Sequence, residues 1–224
     1  MPKRKPPPAF IRSEADLAAH LDALSASAPS FAPLRVIAGE VPLRWLDSGF
    51  AGLVWVITGQ QISVAAGRAI YNRCQAALGA ITAEAILAAD DATLRAAGFS
   101  APKIRTLRAI SEAAAAGALD LDGLGRFSAE EAIVHMTAIK GVGPWTAEVY
   151  LLFALGHPDI FPAKDVALQE AARLAFDLPA RPTDKQLAAM AEEWRPYRSA
   201  AARLLWSYYR AAKSRDAAPV QSPV

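Results

Sequence analysis

One cysteine, Cys74, is all the thiol chemistry this chain has. A single thiol closes no internal disulfide and holds no iron–sulfur cluster, so a reducing cytoplasm is the natural setting. There is also no uncharged apolar run of about 18 residues, the length that marks a membrane-crossing helix, and a soluble protein without a membrane partner is expected. Excess charge is missing too: 24 Lys and Arg against 22 Asp and Glu leave a formal net charge of +2. Binding to a polyanion would have to come from a local face and not from bulk charge. Alternating valine and threonine runs are scarce, which argues against a sheet protein.

What is present is helical period. With 224 residues, 53% of them hydrophobic, the chain can bury a sizeable core in one large domain or two intimate lobes. Ser13 and Asp16 followed by Leu17, Leu21 and Leu24 read as a capped amphipathic helix, stopped by Pro29 and Pro33. Phe50 to Tyr71 reads as two abutting apolar helices broken around Thr58-Gly59-Gln60-Gln61. Further helices are predicted at Thr82–Ala89, Asp91–Ala97, Ala101–Ala116, Ser128–Ala138, Pro144–Leu155, Val166–Phe176, Thr183–Trp194 and Pro196–Lys213. Phe31–Val41 is the one stretch that could be extended. The opening MPKRKPPPAF carries Lys3, Arg4 and Lys5 without an apolar run, so it is no signal peptide. We expect a disordered basic tail over 1–10, one all-α domain over 11–214, and a second disordered tail over 215–224.

The most informative stretch is MTAIKGVGPWTAEVYLLFALGHPDIFPAKD, from Met136 to Asp165. Its Gly141-Val142-Gly143 triplet suits a tight turn with φ > 0 and close backbone approach. Pro144 fits the first position of the helix that follows, where no amide is required. Ala147, Tyr150 and Leu151 would be that helix's inner face. The result is a helix, a hairpin and a helix, whose turn amides at the positive helix end can take one phosphate. Alone, the triplet would better suit an ordinary interhelical turn. Twenty residues beyond Trp145 stands Asp165, at the head of another apolar helix.

With GVGPWTAEVYLL, FPAKD and WRPYRSAAARLLW in this order, the chain resembles the helix-hairpin-helix DNA glycosylases. Within them it is similar to the 3-methyladenine DNA glycosylase II group, over about residues 45 to 210. The resemblance implies two helical lobes flanking a cleft, without the β-rich N-terminal domain of the best-known bacterial members. It implies a monomer that flips an alkylated base out of double-stranded DNA and hydrolyses the N-glycosidic bond, leaving an abasic site.

Carried over residue by residue, the resemblance makes Asp165 the carboxylate that stabilises the positive charge growing on the sugar and aligns or deprotonates the attacking water. An aspartate there also reads as a plain N-cap for the helix from Val166, and the two roles are compatible. Where backbone-cleaving relatives carry an attacking lysine, this chain has Trp145, so no Schiff base can form and a monofunctional enzyme is implied. Trp145 and Trp206 match the aromatics that stack on the extruded base, and an indole face favours a cationic purine. Trp45, Trp55 and Trp194 read as core. Where members have tyrosines lining the pocket, this chain has Val149 and Val166, which leaves the preferred lesion open. Gln61, with Gln60 beside it and Ser63 after it, matches the wedge that fills the vacated stack; a glutamine pair also commonly satisfies loop amides.

DNA anchoring is implied for Gly141, Gly143, the Trp145 amide and Lys140, with Lys103 as a second phosphate contact or simply a solvated lysine. Arg198 and Ser199 match a motif that would brace the Trp206 helix. No cofactor is implied beyond a Na⁺ or K⁺ held by the carbonyls of Thr137, Ile139 and Val142. A helix-hairpin-helix DNA-binding protein without catalysis, or a glycosylase for another lesion such as ethenoadenine or a deaminated base, are the other readings of the same residues.

Overall fold

The computed structural model describes residues 9–213; the tails expected over 1–10 and 215–224 lie, apart from residues 9 and 10, outside the described residues. Among these the chain is helical, with no strand. The helices are Glu14–Ser27 (α1), Phe31–Ala38 (α2), Gly49–Gly59 (α3), Val64–Leu78 (α4), Ala83–Ala88 (α5), Asp91–Ala97 (α6), Ala101–Ala115 (α7), Ala129–Thr137 (α8), Pro144–Phe153 (α9), Val166–Ala175 (α10), Asp184–Ala191 (α11) and Arg198–Lys213 (α12). Short 3₁₀ turns occupy Gly123–Arg126 and Glu192–Trp194.

Side-chain caps start many of these helices. Ser13 accepts from the amide of Asp16, Thr82 from Ala85, Asp90 from Thr93, and Ser128 and Thr183 form reciprocal capping boxes with Glu131 and Gln186. Each such cap satisfies a helical N–H that would otherwise lack a partner.

Of the stretch 31–41 that could have been extended, residues 31–38 are helical and no strand forms. In α2, Phe31 and Leu34 are buried three residues apart on one face. Pro33, expected to stop α1, falls within the first turn of α2, where its missing N–H costs nothing. The helix after the glutamine pair runs on to Leu78, past the predicted end at Tyr71.

The described residues divide into two compact units, one from residues 44–154 and the other from the flanking segments 9–43 and 155–213. The flanking-segment unit is built around α12, which packs against α1, α2 and α10. Ala200, Ala201, Ala202, Leu204 and Leu205 on it are fully buried. Trp194 is a core aromatic as expected, with Phe31 and Phe161 at 5.1 Å and Phe176 at 5.7 Å between ring centroids.

Arg198 and Ser199 hold the start of α12. The Arg198 guanidinium donates to Asp159 Oδ1 at 2.8 Å, to Asp159 Oδ2 at 3.1 Å and to Glu192 at 2.9 Å. Arg195 reaches the same Asp159 at 2.9 Å. Ser199 donates to the His157 carbonyl at 2.6 Å and accepts from the Ile160 amide at 2.9 Å. These are structural contacts, as the motif implied. Because Arg198 is buried, Asp159→Ala should destabilise the fold by about 3 kcal/mol, the cost of leaving a buried charge short of its partner. Urea unfolding measures this, and a loss under about 1 kcal/mol would place the pair in the weak surface class.

The central unit is organised around α3, where Leu53, Val54, Trp55, Val56 and Ile57 are buried and the packing partners are α4, α7 and α9. Trp55 meets Tyr71 edge-to-face at 5.1 Å. Cys74 is buried on α4, and burial pushes its thiol up to about 11, in keeping with an inert packing cysteine.

Candidate functional site

Within the central unit, α8, a six-residue turn and α9 form the hairpin. Turn bonds run from the Ile139 amide to the Met136 carbonyl at 3.2 Å and from the Val142 amide to the Ile139 carbonyl at 3.0 Å. Gly141 has φ +91°, and a Cβ placed there would lie 2.2 Å from Thr106 Oγ1 on α7. Only glycine serves both demands. Gly143 differs: its φ is −88° in extended backbone with open space around it, so the turn requires one left-handed glycine, not two. Pro144 is the first residue of α9, and no side chain caps that N-terminus. The helix thus presents its positive end at the hairpin, beside the exposed Lys140. The predicted inner face of Ala147, Tyr150 and Leu151 is fully buried.

The helix break carrying the glutamines joins α3 to α4. Gln60 ends α3, and its side-chain amide donates to Thr146 Oγ1 on α9 at 2.7 Å. Gln61 follows with φ +58° and is exposed. Ser63 caps α4, accepting from the Ala66 amide at 3.2 Å, which gives it a structural use at the position read as a DNA contact. Gln61, Ile62, Val64, Gly59, Trp55 and Trp145 border a hollow of about 170 Å³. Trp55 therefore does more than fill the core, and only its neighbours in space, not its helical period, reveal this.

Lys103 departs from expectation. Its ammonium turns inward to the carbonyls of Thr58 at 2.7 Å and Gln60 at 3.0 Å, and burial lowers its pKa. It caps the negative end of α3 and is not displayed toward a phosphate.

In the unit built on α12, Asp165 is the N-cap of α10. Its Oδ1 accepts from the Leu168 amide at 3.0 Å and from the Trp206 indole N–H at 3.3 Å. The preceding loop is tied by the Asp165 amide to the Pro162 carbonyl at 2.9 Å and by the Gln169 side chain to the Ala163 carbonyl at 3.0 Å. One oxygen of the carboxylate is thus fixed in place by two donors.

Two of the four expected pocket residues do not offer open surface. Trp206 is 2% exposed because it sits on the central helix α12, and its N–H is directed at Asp165. Val149 is 0% exposed on the inner face of α9. Trp145 is half-buried and Val166, next to Asp165, is 58% exposed. The structure thus groups Asp165, Val166 and Trp206 in one unit, and the hairpin, the glutamines, Lys103 and Trp145 in the other.

A hairpin ending on an uncapped helix N-terminus and a carboxylate at another helix head are the two features that mark the candidate site. The model of the HhH-GPD superfamily base excision DNA repair protein matches residues 54–196, and the chain belongs to that superfamily. Among its relatives, DNA-3-methyladenine glycosylase 1 of Schizosaccharomyces pombe is 37% identical over 158 residues, covering 69% of this chain and 69% of that protein. A solved structure of the 3-methyladenine DNA glycosylase of the same yeast, in complex with abasic DNA, superposes with a TM-score of 0.77 at 32% identity, over 88% of this chain and 98% of that one. The structure of a DNA-3-methyladenine glycosidase from Bacillus halodurans gives 0.76 at 31% identity, over 92% and 93%. Among the described residues no helix is long and apolar enough to cross a membrane.

Proposed function

We propose that this chain is a monofunctional DNA glycosylase that removes alkylated purines from duplex DNA by hydrolysis, leaving an abasic site, and that it acts as a monomer. The observation that carries the reading is Asp165, an N-cap carboxylate fixed by the Leu168 amide and the Trp206 indole in a chain of this superfamily. The similarity to yeast and Bacillus halodurans proteins named for 3-methyladenine supports the substrate class.

The chemistry follows from charge. A base must leave the stack before its glycosidic bond can be reached. As that bond breaks, the sugar gains oxocarbenium character, and Asp165 supplies the compensating negative charge. The same carboxylate orients water and takes its proton. Trp145 has no amine, so the sugar is not attacked by the chain itself. A cationic alkylated purine is both attracted to an indole face and a good leaving group, which allows selectivity from a modest pocket. Phosphate binds at the Gly141–Trp145 end of α9 with Lys140 alongside.

A Na⁺ or K⁺ at the hairpin carbonyls of Thr137, Ile139 and Val142 is part of this reading; the Ile139 carbonyl also receives the Val142 amide at 3.0 Å. Together they would hold the ion, whose charge would strengthen the phosphate site.

The test is chromatography of free bases released from methylated duplex DNA, run beside borohydride trapping. Release of 3-methyladenine or 7-methylguanine with no covalent adduct is expected. DNA binding without any release would leave a hairpin binding module or an enzyme for another lesion, and a trapped adduct would overturn the monofunctional mechanism.

A further inference from the structure

The inward turn of Lys103 falls at a mechanically sensitive point. The last carbonyls of a helix lack intrahelical partners and carry its negative pole. At the end of α3 two of them, Thr58 and Gln60, receive one ammonium, whose stem comes across from α7. Bonds from a charged donor are the stronger kind. Gln60 is held a second time, by its side chain on Thr146 of α9. The residue immediately after is Gln61, with φ +58°. Such a conformation costs a non-glycine residue energy and persists only where the surroundings over-determine it. Lys103 and Thr146 are those surroundings.

We propose that Lys103 is a positioning residue for the Gln61 wedge, clamping the end of α3 so that Gln61 is presented ready-formed to the gap a flipped nucleotide leaves. The proposal rests on the glycosylase reading above. A flexible loop would have to be ordered at the moment of insertion, and that cost would fall on the flipped state. A clamped loop has met it during folding. The clamp therefore matters most where the vacated position is bounded by an intact stack and a partner base that favours re-pairing.

The test compares wild type, Lys103→Met, Lys103→Arg, Gln61→Ala and the Lys103→Met/Gln61→Ala double variant in single-turnover base release. One duplex carries the alkylated purine opposite its normal partner, and the other carries it opposite an abasic site, where flipping is easier. Lys103→Met should be roughly tenfold slower on the first duplex and within about threefold of wild type on the second, with Lys103→Arg restoring most of the loss. The double variant should be no slower than Gln61→Ala, because the lysine acts through the glutamine. The slope of log affinity against log salt should stay unchanged, since this ammonium does not meet a phosphate. Equal loss on both duplexes, additive loss in the double variant, no loss at all, or a slope reduced by about one would each overturn the proposal. Absence of release by the wild type would be seen before any variant is compared, and would sink the glycosylase reading itself.

Discussion

Asp165→Asn should release base about a thousandfold more slowly than wild type while folding normally and binding DNA with unchanged affinity. Two magnitudes lead to that figure. A unit charge about 4 Å from a developing positive charge, at an effective dielectric near 20, is worth roughly 4 kcal/mol. At about 1.4 kcal/mol per factor of ten, this is close to a thousandfold in rate. Removing one preorganised electrostatic group from other active sites costs about 10²–10³ in turnover, which is the same range.

The substitution is informative because the structure separates the residue's two roles. Asparagine is as good an N-cap as aspartate, and its side-chain oxygen can still accept from the Leu168 amide and the Trp206 indole, now at 3.0 and 3.3 Å. Helix α10 and the 161–165 loop therefore stay in place, and what disappears is the charge and the ability to take a proton from water. Single-turnover base release, thermal unfolding and fluorescence anisotropy on the same duplex check the three parts. Activity above about a tenth of wild type would mean that Asp165 is only a helix cap and that another group carries the catalysis.

The second large effect is expected at the hairpin. Gly141→Ala should weaken DNA binding by about ten- to a hundredfold. Alanine is strained at φ +91°, at a cost of about 1–3 kcal/mol for a sparsely populated conformation. Its Cβ would also lie 2.2 Å from Thr106 Oγ1 and 2.9 Å from the Thr106 Cβ and Cγ2. A β-branched side chain on a helix has little rotamer freedom with which to yield. The hairpin must therefore shift away from α7, and its amides lose their common aim on one phosphate. Adding Thr106→Ala removes the closest contact and should recover part of the affinity, leaving the φ strain. Anisotropy titrations at one fixed salt concentration measure both variants. Unchanged affinity in Gly141→Ala would show that the hairpin is not the phosphate site. Gly143→Ala serves as the control, because its φ is −88° and nothing stands within 4 Å of an added Cβ.

Much of this was legible before any coordinates. Helix starts were readable because Ser, Thr and Asp compete for backbone amides through short-range geometry that the local sequence carries with it, as at Ser13, Ser128 and Thr183. The hairpin was readable because glycine alone admits a positive φ without strain, whereas Pro144 fixes φ at a first helical position that needs no amide. Asp165 was readable as a cap by the same local rule. Local signals leave 31–41 open to an extended piece; the burial of Phe31 and Leu34, with α2 packed on α12, makes a helix of 31–38. The inward turn of Lys103 is not legible locally, because a lysine on a helix gives no sign of whether its stem runs outward or across to another helix's carbonyls.

By itself the sequence determined the all-α class, most of the helix starts, a glycine turn over 141–143, and the carboxylate at the head of α10. These depend on interactions within a few residues, so the order of side chains is enough. Tertiary structure alone decided that Trp206 is buried with its N–H on Asp165, that Trp55 borders the hollow beside Gln61, that Val149 is closed into the core, and that Lys103 holds the wedge loop. The Trp206–Asp165 and Lys103–Thr58 contacts join residues 41 and 45 positions apart, and which face of a helix is covered depends on what packs against it, not on its own periodicity.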